Sequence, residues 1–142
     1  MGQQQLLLIV LGVILVGLAV LSGLTLWEYF SFQSTLDQLG VRGDYILNDA
    51  MKFFKTPVAS GGGGNKSFAK WTPPKQMLAD KYFIKSFNKN KTKGTATTAT
   101  YYITTTLLDS KKANIPIQGS VTNKGVRTRT WYDSGKKKWY KF

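Results

Sequence analysis

Cysteine and histidine are both absent from this 142-residue chain. The first absence excludes disulfides, thiolate metal sites and a cysteine nucleophile. The second removes the commonest general base and metal ligand. Acidic residues are few and scattered: Glu28, Asp37, Asp44, Asp49, Asp80, Asp109 and Asp133. None is paired with another at the close spacing that acid–base work requires. Little is left from which to build an enzyme, and neither a cofactor nor a metal site is expected. Charge is missing from the opening of the chain as well. No charged side chain precedes Glu28, and no basic residue precedes Arg42.

What is present divides in two. Residues 1–41 hold two acids and no base, a balance of −2, whereas residues 42–142 hold twenty bases against five acids, a balance of +15. The length allows one domain with an appendage and is too short for two good cores. An apolar and an aqueous environment are implied, one for each part.

Leu6 to Trp27 is a run of 22 residues whose only hydroxyl side chains are Ser22 and Thr25. As a helix it would span roughly 33 Å, the thickness of a bilayer core. A signal peptide would have a basic start and an apolar stretch of only about 7–15 residues; the start here is Met-Gly-Gln-Gln-Gln, which weakens that reading, while Val20-Leu21-Ser22 before Gly23 is a tolerable cleavage site that keeps it open. The helical pattern then continues. Phe32, Leu36, Leu39, Gly43, Ile46, Ala50 and Phe53/Phe54 recur at steps of three and four, one stripe along a helix. Asp37, Gln38, Arg42, Asp44, Asn48, Asp49 and Lys52 lie largely off that stripe. Gly40 and Gly43 are expected to weaken the helix locally, by about 1 kcal/mol each, and to bend it. Pro57 ends it, because its ring cannot continue the ladder. A continuous helix from Gln3 to Lys55 would be about 80 Å long, apolar all round at first and amphipathic afterwards.

That two-part helix resembles the N-terminal helix of type IV pilins and their relatives. The resemblance covers residues 1–57 as architecture. It implies an apolar half that anchors the subunit in the cytoplasmic membrane and later packs with its copies in a filament core. It also implies an amphipathic half that carries a C-terminal sheet domain. The residues placed at such a self-assembly surface are Gln5, Leu6, Ile9, Gly12, Leu15, Gly17, Leu21 and Trp27. The chain departs from the family's pattern in lacking a short basic leader and a glutamate at the fifth mature position. Gln5 stands there if Met1 is the first mature residue, and Leu7 if a leader ends at Gly2. The carboxylate that would pair with a neighbour's N-terminal amine is therefore missing. Gly12, Gly17 and Gly23 read either as ordinary glycines of a membrane helix or as functional ones that allow close helix approach or let a segment melt. The five-residue spacing from Gly12 to Gly17 is not that of the dimerisation motif, which favours melting.

Residues 57–80 read as a loop region. Its stretch GGGGNKS is not a phosphate-binding loop, because Asn65 precedes the lysine and no strand leads into it. Met1-Gly2 hints at N-myristoylation, but Leu6 stands where a hydroxyl residue is wanted. Asn65-Lys-Ser67 and Asn90-Lys-Thr92 match the N-glycosylation triplet.

From about residue 81 the periodicity becomes two. Strands are expected over Tyr82–Phe87 and Thr95–Leu108, with Ala99, Tyr101, Ile103, Thr105 and Leu107 on the core face. Ile115, Ile117 and Val121 alternate with polar residues in the next strand. A turn at Asn123–Gly125 leads into a strand over Val126–Tyr132, and one at Asp133–Gly135 leads into Lys137–Phe142. The expectation is α+β: a long helix packed on an antiparallel meander of four or five strands. Domain boundaries fall at 1–27, 28–56, 57–80 and 81–142. Arg127, Arg129, Lys136, Lys137, Lys138 and Lys141 interleave with Trp131, Trp139 and Tyr140. They form either a patch for nucleic acid, polysaccharide or mineral, or a solvated face whose lysines blunt an edge strand, and the solvated face is the preferred of the two.

The functional expectation is a structural, non-enzymatic subunit of an extracellular type IV pilus-like filament. Its partners would be many copies of itself, the pilus assembly machinery and, before assembly, the membrane. The alternative is a single-pass membrane-anchored protein whose basic domain binds anionic polymers, with that domain cytoplasmic by the positive-inside rule.

Overall fold

A computed structural model describes residues 2–62, 66–79, 83–108 and 112–142. The chain divides into two compact units, one ending at Leu36 and the other running from Asp37 to Phe142. A single helix, α1 (Gly2–Lys55), crosses that division. No proline interrupts it before Pro57. At its end the Thr56 amide and hydroxyl both donate to the Lys52 carbonyl, at 3.0 and 2.7 Å. Lys52 and Lys55 place positive charge in the last turn, where the helix dipole favours it.

Burial along α1 begins at Leu36 and continues through Leu39, Gly40, Gly43, Ile46, Leu47 and Ala50. The expected stripe is present, with Leu47 and Gly40 added to it. These two widen it to the broad apolar face that a sheet-covering helix needs. The helix is continuous through both glycines, and the structure gives them a further role at the sheet. A Cβ at Gly43 would collide with the Tyr101 hydroxyl, and one at Gly40 would lie 3.1 Å from Phe142 Cδ1. Both are points of close approach between helix and sheet.

The sheet has six antiparallel strands: β1 (Ile84–Phe87), β2 (Lys93–Gly94), β3 (Thr98–Leu108), β4 (Asn114–Thr122), β5 (Arg127–Asp133) and β6 (Lys138–Lys141). Their order is β1-β3-β4-β5-β6, with β2 also pairing β3. The register puts β1 against Ile103–Thr105 and β2 against Ala99–Thr100. Hence β1 and β2 are two pieces of one edge, interrupted at Asn88–Thr92. This differs from the plain four- or five-strand meander. The cause is local: the Asn88 carboxamide oxygen accepts from the amides of Asn90 and Lys91, an Asx turn that pulls the chain out of the ladder. Likewise β3 starts at Thr98, not Thr95. The Thr95 amide and hydroxyl both donate to the Thr98 carbonyl, which makes residues 95–98 the turn of the β2–β3 hairpin. Tyr82, expected in the first strand, lies outside the described residues.

On the helix side of the sheet, Ala99, Tyr101, Ile103, Thr105, Ile115, Ile117 and Val121 are buried, and the Thr105 hydroxyl is satisfied by the Ile115 carbonyl at 3.1 Å. The region expected as loop contributes to this core. It contains a short 3₁₀ turn (Val58–Ser60), a one-turn helix α2 (Lys75–Leu78), and two fully buried aromatics, Phe68 and Trp71. Phe68 stacks on Phe54 with centroids 4.6 Å apart, and the Trp71 indole N–H donates to Asp49 at 3.2 Å. Aromatic anchors of this size supply much of the core that so small a domain needs.

Candidate functional site: a bare apolar helix and the two faces of the sheet

From Gly2 to Ser31 every residue of α1 is exposed. The side chains named above as a self-assembly surface all belong to this stretch: Leu6 (66% exposed), Ile9 (68%), Leu15 (58%), Leu21 (63%) and Trp27 (70%), together with Gln5, Gly12 and Gly17. The segment is long and apolar enough to cross a membrane. The two hydroxyls of its Leu6–Trp27 run are internally satisfied: Ser22 Oγ donates to the Leu18 carbonyl and Thr25 Oγ1 to that of Ser22, each at 2.9 Å. A segment immersed in hydrocarbon requires such back-bonding, because no water is present to take the protons. Cβ atoms at Gly12, Gly17 and Gly23 would meet nothing within the chain. These glycines are notches on an outer surface. The melting expected around them does not occur in this structure, in which α1 is unbroken from end to end.

The basic residues of the last hairpin do not form one patch, because strand alternation sorts them. Arg127, Arg129 and Trp131 of β5 point to the helix side, and so do Lys138 and Tyr140 of β6 through the pairings Asp133↔Lys138 and Trp131↔Tyr140. Trp131 and Tyr140 stack with centroids 5.1 Å apart, and the ammonium groups of Lys136 and Lys138 lie 5.8 and 5.9 Å from the Tyr140 ring. Trp139 and Lys141 face the opposite side. Lys136 and Lys137 lie in the turn between the strands.

Arg129 is committed to the fold. Its Nη1 lies 2.8 Å from Asp44 Oδ2 and donates to the Gly40 carbonyl at 3.1 Å, which bolts β5 to α1. Next to this pair is the Tyr101 phenol. Burial pushes its pKa well above the ordinary tyrosine value, with Arg129 pulling it down and Asp44 adding to the rise.

The outer face of the sheet, away from α1, carries Thr98, Thr100, Tyr102 and Thr104 of β3, Gln118 and Ser120 of β4, and Thr128, Thr130 and Tyr132 of β5, as the register requires. Two clefts open there on either side of Tyr102. The larger, about 560 Å³, has Lys91 and Lys93 on its rim, and the smaller, about 330 Å³, includes Lys89. Asn90 of the second glycosylation triplet borders both clefts, and Asn65 of the first lies outside the described residues. The only sequence signal for these clefts was the polar alternate face of β3 with Tyr102 in its middle. Among the described residues no group of acidic side chains could hold a metal ion. The chain matches no family model, no curated protein and no solved structure.

Proposed function

We propose that this protein is the structural subunit of a type IV pilus-like filament at the cell surface, held in the cytoplasmic membrane before assembly. One observation carries the reading. Within the exposed part of α1, the run from Leu6 to Trp27 presents an apolar surface all round with nothing in the chain covering it. A contiguous apolar surface of that extent requires a partner or a lipid environment. Copies of the same segment supply such a partner, and the notches at Gly12, Gly17 and Gly23 let their backbones approach. The function is mechanical, and no step of chemistry is assigned to the chain.

The length and hydropathy of the same segment also favour a second reading, a single-pass anchor carrying a basic domain. Leu15→Lys separates the two. In a filament core, Leu15 would be surrounded by other subunits with no water in reach, and an unpaired ammonium there costs several kcal/mol in every subunit. In a bilayer a central lysine costs only about 2.5–3.5 kcal/mol, which the remaining apolar run offsets. Electron microscopy of sheared surface material and membrane fractionation read the outcome. Retention in the membrane with loss of filaments is expected. Normal filaments from the variant would overturn the assembly model, and absence of filaments from the unsubstituted chain would leave the anchor reading in its place.

A further inference from the structure

We infer that the outer face of the sheet is a binding site for an acidic oligosaccharide, one bearing carboxylate or sulfate groups, and that it serves the protein whether or not the chain polymerises.

The floor of the larger cleft consists of neutral hydrogen-bonding side chains spaced by the strand repeat: Thr100, Gln118, Ser120, Thr128 and Thr130. The Ser120, Thr128 and Thr130 hydroxyls can both donate and accept, that of Thr100 can still accept, and the Gln118 carboxamide offers two donors and an acceptor. Such an array matches the mixed donor–acceptor character of sugar hydroxyls. The rim is cationic. Lys91 and Lys93 border this cleft and Lys89 the adjoining one, while Lys141 lies on the same face. No acidic residue among those described projects from this face: Asp133 belongs to the helix side, and Asp44 and Asp49 lie on α1. The face therefore favours an anion, and its neutral floor favours one rich in hydroxyls.

The rim is also held in place. The Thr92 hydroxyl donates to the Tyr102 carbonyl at 3.3 Å and accepts from the Tyr102 amide at 2.9 Å. The Thr100 hydroxyl donates to the Lys91 carbonyl at 3.0 Å, and the Lys91 ammonium stands 4.7 Å above the Tyr102 ring. Lysines fixed this way lose less freedom on binding than lysines on a free loop.

Single-stranded nucleic acid is the other polyanion that sheet faces bind, by stacking its bases on open aromatic rings. Here the rings are turned on one another. Trp139 packs edge-on to Tyr102 at 6.4 Å and tilted on Tyr132 at 5.2 Å, and Lys91 covers Tyr102. The observations favour the glycan.

The test uses the full chain in detergent micelles. Titration with an oligogalacturonate is compared with its neutral methyl ester and with a single-stranded dT oligomer, read by calorimetry at two salt concentrations. Lys91→Gln combined with Lys93→Gln should weaken oligogalacturonate binding about tenfold or more. Gln118→Leu should weaken it several-fold with the salt dependence unchanged, since it removes a neutral contact. Lys136→Gln with Lys137→Gln, in the β5–β6 turn, should leave it as it was. Circular dichroism confirms that each variant is folded, and Thr128→Val serves in place of Gln118→Leu if that variant is not. Equal losses from both lysine pairs would mean unspecific attraction to a basic protein and would overturn the site. So would tighter binding of the dT oligomer, equal binding of the neutral ester, or no binding at all.

Discussion

Gly43→Ala is a sharp test of how helix and sheet meet. On an exposed helix the change would raise stability by about 1 kcal/mol, since alanine is the better helix former. Here the new methyl would collide with the Tyr101 hydroxyl and lie 3.0 Å from Tyr101 Cζ. The ring cannot retreat, because it leans over Gly119 of β4, where a Cβ would collide with the same ring from below. Overpacking of a rigid, buried group costs about 1–3 kcal/mol, and a ring closed in by backbone on both sides belongs at the upper end of that range. The net expectation is a loss of about 2 kcal/mol, or roughly 8 °C in Tm for a domain of this size. Any shift of α1 would also strain the Arg129 contacts to Asp44 and Gly40, which adds to the loss.

Urea denaturation of residues 28–142, followed by circular dichroism, measures the change. Tyr101→Phe in the same background removes the colliding oxygen and should restore at least about 1 kcal/mol, a coupling of the size expected for side chains in direct contact. A Gly43→Ala variant more stable than the parent, with no coupling to Tyr101→Phe, would mean that the hydroxyl does not abut the helix at Gly43. The docking of α1 on the sheet would then be misread.

Two further outcomes follow from the same packing and from the bare helix. Tyr101→Phe alone should be neutral or stabilising by about 1 kcal/mol at pH 7, because the buried hydroxyl has no hydrogen-bond partner among the described residues. With its folded pKa raised by burial, the phenol leaves stability independent of pH below the ordinary tyrosine value near 10 and lowers it as pH rises beyond that, because the unfolded chain ionises first. Wild-type stability should therefore fall more steeply than that of Tyr101→Phe above about pH 10, and parallel pH profiles from urea melts would refute this. Removal of residues 1–27 should leave a soluble monomer, because it takes away the exposed apolar run from Leu6 to Trp27; sedimentation decides it, and filaments from residues 28–142 would sink the assembly model.

The parts of the structure legible in the sequence are those governed by a short repeat. The run from Leu6 and the stripe through Leu36, Ile46 and Ala50 specify α1, because a helix face depends on residues three and four apart. Alternation from Ala99 to Thr105 specifies the core face of β3 in the same way. What escaped notice depends on partners distant in the chain. A glycine read by propensity is a weak point, and only Tyr101 and Phe142 across the interface turn Gly43 and Gly40 into contact points. Phe68 and Trp71 sit in a segment with no period, so their burial against Phe54 and Asp49 has no local signature. The Arg129–Asp44 pair spans 85 positions. Arg129 accordingly looked like its exposed neighbours in a basic hairpin until the register of β5 turned it inward. The interruption of the first edge strand was local in origin, yet Asn88 announces a turn no more loudly than any other asparagine.

The charge distribution adds a last constraint on the proposed filament. Each subunit carries a net charge of +13, and Glu28 is the only charged side chain before Asp37. Stacking subunits along an apolar core brings basic domains side by side, so their mutual repulsion opposes assembly while the helix contacts drive it. Apolar contacts do not weaken with salt, whereas repulsion between exposed charges is screened beyond about 10 Å at 0.1 M ionic strength. Polymerisation of the purified chain on detergent removal should therefore improve as salt rises from about 10 mM, where the screening length is roughly 30 Å, to physiological strength. Light scattering with electron microscopy follows it. The acidic oligosaccharide inferred above would act in the same direction by neutralising part of the basic surface. If filaments instead dissolve as salt is added, attraction between unlike charges holds them together. Glu28 would then be the natural partner for a neighbour's lysine, and the apolar surface of α1 would not be the principal source of cohesion.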